Sequence, residues 1–170
     1  VPYHRLEDLL PTIFERGEAP LIVVLDGVTD VRNFGAIARS AELCGAHALV
    51  VSMKNAAPVN ADAIKTSAGA LTRLPVCRET STLAAVTLLQ ESGVRVLATD
   101  LQADHYVFEE DLTLPVALVM GEEQHGVSRQ VLARADARIR IPQRGTLDSF
   151  NVSVATGIVL YEAMRQRMAR

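Results

Sequence analysis

The stretch "LIVVLDGVTDVRNFGAIARSAELCGAHALVVS", residues 21–52, reads as strand, helix, strand. Its two ends, "LIVVLDG" (21–27) and "ALVVS" (48–52), are unbroken apolar runs rich in Val and Ile, as expected of strands covered on both faces. Between them Ile37, Ala41 and Cys44 recur at i, i+4 and i+7, the buried stripe of a helix over 33–44. Arg39 lies about 160° from Ala41 at about 100° per residue, off that stripe. Asn33 opens this helix as a natural N-cap. Gly35, one turn before Arg39 on the same face, leaves room for something to approach.

The same alternation continues along the chain. Further apolar runs are "RVLATD" (95–100), "VALVMG" (116–121) and "ARIRIP" (137–142), and helical patterns fall near 60–70, 81–92, 127–135 and 151–168. The expected fold is therefore α/β, a parallel sheet with helices on both faces. Residues 1–20 form a lead-in whose segment "HRLEDLLPTIFERG" predicts a helix broken by Pro11 and ended at Gly17; residues 21–170 form one domain.

Composition narrows the function. The 170 residues are 49% hydrophobic, which excludes disorder, and 4% aromatic with no Trp, which leaves few stacking platforms for single-stranded nucleic acid. A formal net charge of -3 gives no global attraction to a polyanion, so nucleic-acid contact requires a local basic patch or another domain. Cys44 and Cys77 have no metal-ligand spacing, and two cysteines build no disulfide scaffold, which fits a cytoplasmic protein. No run approaches the roughly 18 apolar residues of a membrane span. His4, His47 and His105 have no ligand spacing either, so no metal is expected. The chain begins at Val1, as a piece of a longer protein would.

In open α/β sheets chemistry gathers at the C-terminal ends of the strands. Three loaded segments lie there: "DGVTDVRN" (26–33), "GEEQHGVS" (121–128) and "PQRGTLDSFN" (142–151). No strand is followed by G-x-G-x-x-G, which argues against a dinucleotide-dependent oxidoreductase. Gly121 and Gly126 have P-loop spacing, yet Val127 stands where the lysine belongs, and Glu122 and Glu123 would repel a triphosphate.

These segments resemble the three motifs of the SpoU (TrmH-like) family of SPOUT-class RNA 2'-O-ribose methyltransferases. Asn33, Arg39 and Gly45 match N-x5-R-x5-G. Gly121, Glu123, Gly126, Val127 and Ser128 match G-x-E-x-x-G-[LV]-S. Ile141, Pro142, Gly145, Ser149, Phe150, Asn151, Val152, Ser153 and Ala155 match I-P-x-x-G-x-x-x-S-[LF]-N-V-S-x-A. The resemblance covers residues 20–165 and departs only at Phe150, where leucine is commoner, and at the variable pair Gln124 and His125.

It implies a C-terminal deep trefoil knot, S-adenosylmethionine as cofactor, a homodimer, and methyl transfer to a ribose 2'-hydroxyl of structured RNA. The subgroup most resembled methylates a guanosine in 23S ribosomal RNA and carries an additional N-terminal RNA-binding domain. The catalytic set implied is Arg39, Asn33, Glu123, Ser149 and Asn151, with Glu123 orienting Arg39 or Asn33. Backbone around Gly121, Ile141 and Phe150 would grip the adenosine, with Thr99 to Leu101 lining the same pocket. Ser149 and Asn151 precede the last helix and are also natural caps. Ser153, Ala155, Thr156 and Gly157 on that helix are small enough for another subunit to approach. His125 reads as a surface histidine. Arg138, Arg140 and Arg144 form either a solvated face or a phosphate-contacting rim, while Arg165, Arg167 and Arg170 decorate the last helix. A tRNA acceptor and a non-catalytic RNA-binding module are the alternatives.

Overall fold

The computed structural model describes residues 3–54, 57 and 60–169. In chain order the elements are β1 (Tyr3–His4), α1 (Leu6–Glu15), β2 (Leu21–Asp26), α2 (Val31–Leu43), β3 (Ala48–Ser52), α3 (Ala61–Thr66), β4 (Val76–Glu79), α4 (Thr82–Glu91), β5 (Arg95–Thr99), β6 (His105–Tyr106), β7 (Val116–Gly121), α5 (Arg129–Arg134), β8 (Ala137–Arg140) and α6 (Val152–Met168). Every strand pairing is parallel, in the order β1-β4-β3-β2-β7-β5-β8-β6.

Alternation along the central strands divides the core. Leu21, Val23 and Leu25 of β2 face one cluster with Phe34, Ile37, Ala38 and Ala41 of α2 and Val159, Leu160 and Ala163 of α6. Ile22 and Val24 face the other with Leu6, Leu10 and Ile13 of α1 and Ala85, Val86 and Leu89 of α4. Burial on both faces is why these runs lack polar alternation.

The strands that hydropathy does not announce are the two edge strands, β1 and β6, and β4 next to β1. β4 contains Arg78, and β1 and β6 are polar two-residue strands of the short kind that edges tolerate. The lead-in belongs to this sheet: β1 pairs with β4, and the carboxylate of buried Glu79 accepts bonds from Leu6 N at 3.0 Å and from Arg5 Nε at 3.2 Å. Pro11 does not break α1, which runs unbroken from Leu6 to Glu15. Glu7 and Pro11 both lie on the exposed face, where water can satisfy the carbonyl left without a donor. Gly17 ends the helix with φ +75°. The helix expected over 60–70 stops at Thr66, because Ala68 and Gly69 take left-handed backbone at φ 55° and 86° and a 3-10 turn follows.

The last helix also differs from expectation. Arg165 pairs with Glu162, but Arg167 is no solvated charge: it donates to the carbonyls of Leu112, Ala19, Pro20 and Leu114, pinning α6 to the segments that enter β2 and β7. Arg170 lies outside the described residues. Thr156 is 1% exposed and donates to Val152 O at 2.7 Å, and a Cβ at Gly157 would come 3.6 Å from Ser40 Oγ. Both therefore turn toward their own chain, leaving Val154 and Tyr161 as the exposed apolar stripe, 50% and 57% accessible. No helix among the described residues is long and apolar enough to cross a membrane.

Candidate active site

The strand order reverses between β2 and β7, which run side by side with Asp26 opposite Gly121. Such a switch point opens a crevice at the C-terminal ends of the strands. Asp26 organises it. One carboxylate oxygen accepts the Ser128 N–H at 2.8 Å and the other the Thr82 hydroxyl at 2.9 Å, tying the loop after β7 to β2 and α4. This residue was not singled out from the motifs; the signal was a carboxylate ending an otherwise apolar strand.

The loop after β7 folds tightly on itself. Gly126 N–H bonds Glu122 O at 2.8 Å, and Gly126 has φ +67°. A Cβ at Gly121 would sit 2.1 Å from the Gly126 carbonyl carbon, so only glycine allows this crossing. His125 is exposed and its ring Nδ1 contacts the Glu122 carboxylate, which also accepts its backbone N–H at 2.6 Å.

Beside this loop lies a cavity of about 330 Å³. Thr99 and Leu101 from the end of β5, Gly121 from β7, and Ile141 and Phe150 from the segment after β8 all line it. Glu123 and Ser149 stand on its wall as well. Thr99 is held by its hydroxyl bond to Val119 O at 3.0 Å.

The polar residues gather at the α6 N-terminus. Asn151 caps α6, its side-chain oxygen accepting Ser153 N–H at 2.9 Å and Val154 N–H at 3.3 Å. Its amide nitrogen donates to Glu123 Oε1 at 2.6 Å and to Asn33 Oδ1 at 3.2 Å. One amide thus joins all three motifs. Glu123 bonds Asn151 rather than Arg39 or Asn33, because the α6 N-terminus supplies donors and a positive dipole end; Val152 N–H also points at it from 3.5 Å.

Three local expectations change. Asn33 is not the cap of α2: Asp30 is, accepting Asn33 N–H at 2.9 Å, which frees the Asn33 side chain for Asn151. Gly35 is buried, and a Cβ there would meet Thr66 Cβ at 2.6 Å and Ala63 O at 2.8 Å, so the element that approaches it closely is α3. Ser149 makes no capping bond; Asn151 alone caps α6. Arg39 stands exposed on α2 with no hydrogen bond or ion pair among the described residues.

The cavity is apolar with an acidic mouth, and the polar cluster beside it bridges three segments. A match to the SpoU rRNA Methylase family spans residues 20–161. The chain belongs to this family. It is 44% identical over 161 residues to the 23S rRNA (guanosine-2'-O-)-methyltransferase RlmB of Photorhabdus laumondii, a match covering 95% of this chain and 66% of that one. Against the Escherichia coli K12 protein of the same name the identity is 41%, with the same coverage. The chain thus spans just under two thirds of the length of these relatives. Among solved structures, the SpoU methyltransferase AviRb from Streptomyces viridochromogenes in complex with AdoMet aligns with a TM-score of 0.87 at 33% identity, covering 100% of this chain and 67% of that one. The AdoMet-bound rRNA methyltransferase from Sinorhizobium meliloti aligns with a TM-score of 0.87 at 33% identity, covering 96% and 61%. Among the described residues no group of His, Cys, Asp and Glu is placed to hold a metal.

Proposed function

We propose that this chain is the catalytic domain of an S-adenosylmethionine-dependent RNA 2'-O-ribose methyltransferase whose acceptor is a guanosine in 23S ribosomal RNA. One observation carries the reading: Thr99, Leu101, Gly121, Ile141 and Phe150, drawn from three separated segments, line one cavity that the Asn33–Asn151–Glu123 cluster borders. The cofactor fits the donor set. The cavity volume lies within the range of small-molecule sites. Its apolar walls suit an adenosine, and the carboxylates of Glu122 and Glu123 suit a cation where they would repel a phosphate.

When bound, S-adenosylmethionine supplies a methyl group already activated by its sulfonium. The chain must then align the ribose and stabilise charge. Asn151 and Glu123 fix the cavity mouth relative to α2. Arg39, unpaired and exposed, meets the 2'-oxygen as it becomes an alkoxide, or a phosphate beside it. A guanidinium is too hard to deprotonate to serve as a base, so Arg39 acts by its charge; the 2'-hydroxyl proton passes to solvent as the oxygen takes the methyl and the S–C bond pair stays on sulfur. Ser149 contacts substrate or cofactor from the cavity wall.

The segment after β8 threads a deep trefoil knot; support comes from the insertion of β8 between β5 and β6 and from the cavity that residues 141–150 share with the loop after β7. Two chains form a homodimer over the Val154–Tyr161 stripe of α6. An N-terminal RNA-binding domain precedes this one in the full protein, which works in the cytoplasm. The test is twofold. Calorimetry on the chain should give saturable S-adenosylmethionine binding, and mapping of 2'-O-methylation after deletion of the gene should lose one 23S guanosine. A lost mark on tRNA would redirect the acceptor, and absence of cofactor binding would leave an RNA-binding module.

A further inference from the structure

The cavity opens sideways into a second groove, at the β6 edge of the sheet. This groove, of about 480 Å³, shares Leu101, Gln102, Arg140, Ile141 and Gln143 with the cavity and adds Tyr106 and Asp148. Few aromatic side chains exist in this protein, and two of them meet here. The Tyr106 and Phe108 rings stack with centroids 5.3 Å apart and an interplanar angle of 27°. The Arg140 guanidinium lies 5.0 Å from the Tyr106 ring centre and its Nη2 reaches the Tyr106 hydroxyl at 3.3 Å. The turn bearing the pair is fixed, because Glu109 accepts Tyr106 N–H at 2.9 Å.

Two features of this corner are unsatisfied by the chain itself. Arg140 Nε is buried with no hydrogen-bond partner among the described residues, a costly state for a charged group's donor. Phe108 does not line the groove itself but stacks on Tyr106, which does, and it is 54% exposed although its neighbour Val107 is buried, so its uncovered ring surface meets solvent. A ligand with a flat π-face and hydrogen-bonding edges answers both. Charge decides which part of a nucleotide enters. Asp148 on the groove wall opposes a phosphate but accepts from base N–H groups, while Gln102 and Gln143 offer both donors and acceptors. The exposed Arg144, between Gln143 and Gly145 on the same segment, is placed for the phosphate outside. Arg138 is spent on Asp100 at 3.4 Å.

We infer that the groove between the β6 edge and residues 140–148 is a subsite for one unpaired RNA nucleobase flanking the methylated nucleotide, with Phe108 as stacking face and Arg140 as polar anchor. The inference rests on RNA being the methyl acceptor. Base stacking tolerates any sequence, so the subsite supplies grip and register in a chain whose net charge gives none.

The protein has no tryptophan, so Phe108→Trp installs a single fluorescent reporter at the stacking face. Titration with a short oligoadenylate at low salt should quench its emission. Phe108→Ala should weaken oligoadenylate binding at least about fivefold and leave calorimetric affinity for S-adenosylmethionine unchanged. An unquenched reporter, or wild-type oligoadenylate affinity in Phe108→Ala, overturns the subsite. A change of mass by light scattering in Phe108→Ala assigns the patch to contact between chains and overturns it too. Failure of the wild-type chain to bind S-adenosylmethionine speaks against the methyltransferase reading alone, because the quench reports RNA independently of the cofactor.

Discussion

The cavity and the polar cluster beside it are built to different degrees of completion. The cavity walls are strand ends and tight loops, locked by Asp26, by the Gly121–Gly126 crossing and by the Thr99 hydroxyl. The polar residues divide: Asn33, Asn151 and Glu123 are joined by hydrogen bonds, whereas Arg39 stands exposed on α2 and bonds none of them. A finished pocket in a chain that leaves Arg39 unpartnered is the arrangement expected when a small ligand is held by the chain alone and the charged partner arrives with the substrate.

The largest effect should come from Gly121→Ala. Its Cβ would overlap backbone atoms that cannot yield without reopening the loop, so S-adenosylmethionine binding should fall below calorimetric detection. Asn151→Ala cuts the link between Glu123 and Asn33. Single-turnover transfer should drop on the order of 10²-fold, in the range seen when a positioned donor is removed, while loss of the α6 cap lowers stability by about 1 kcal/mol in denaturant melts. Gly35→Ala should destabilise by about 1–3 kcal/mol through its clash with α3, with little change in the transfer rate of the folded fraction. A rate lost without stability would return Gly35 to the substrate side. The smallest effect concerns the thiols. Burial, aided by nearby Glu79, pushes the Cys77 thiol up to about 12, and burial raises Cys44 as well. Since Cys44 is half-buried and Cys77 fully so, a thiol reagent at mildly alkaline pH should label Cys44 first.

Residues 21–52 disclosed the fold because the stretches of a strand buried on both faces must be apolar, and β2 and β3 are so up to their last residues, Asp26 and Ser52. The edge strands β1 and β6, and β4 next to β1, stayed hidden, since partial exposure admits Tyr3, Arg78 and His105. At the site, the motifs marked the loops that converge, while Thr99 and Leu101, which lie in no motif, were implied by the family resemblance alone. Motif spacing could not tell that Asp30 rather than Asn33 caps α2, because either side chain satisfies the same rule. Nor could it tell what fills the space at Gly35 or that Asn151 takes the carboxylate of Glu123, both of which are settled by how α3 and α6 pack on α2.

The proposed separation between a cofactor pocket and an Arg39 that acts only on the incoming ribose is tested most directly by Arg39→Ala. Single-turnover methyl transfer at saturating S-adenosylmethionine should fall by at least ~10²-fold, with the calorimetric affinity for S-adenosylmethionine unchanged. Arg39→Lys should recover part of the rate, since it keeps the charge without the planar fork. A wild-type rate in Arg39→Ala, or a loss of cofactor affinity in step with the rate, would contradict it.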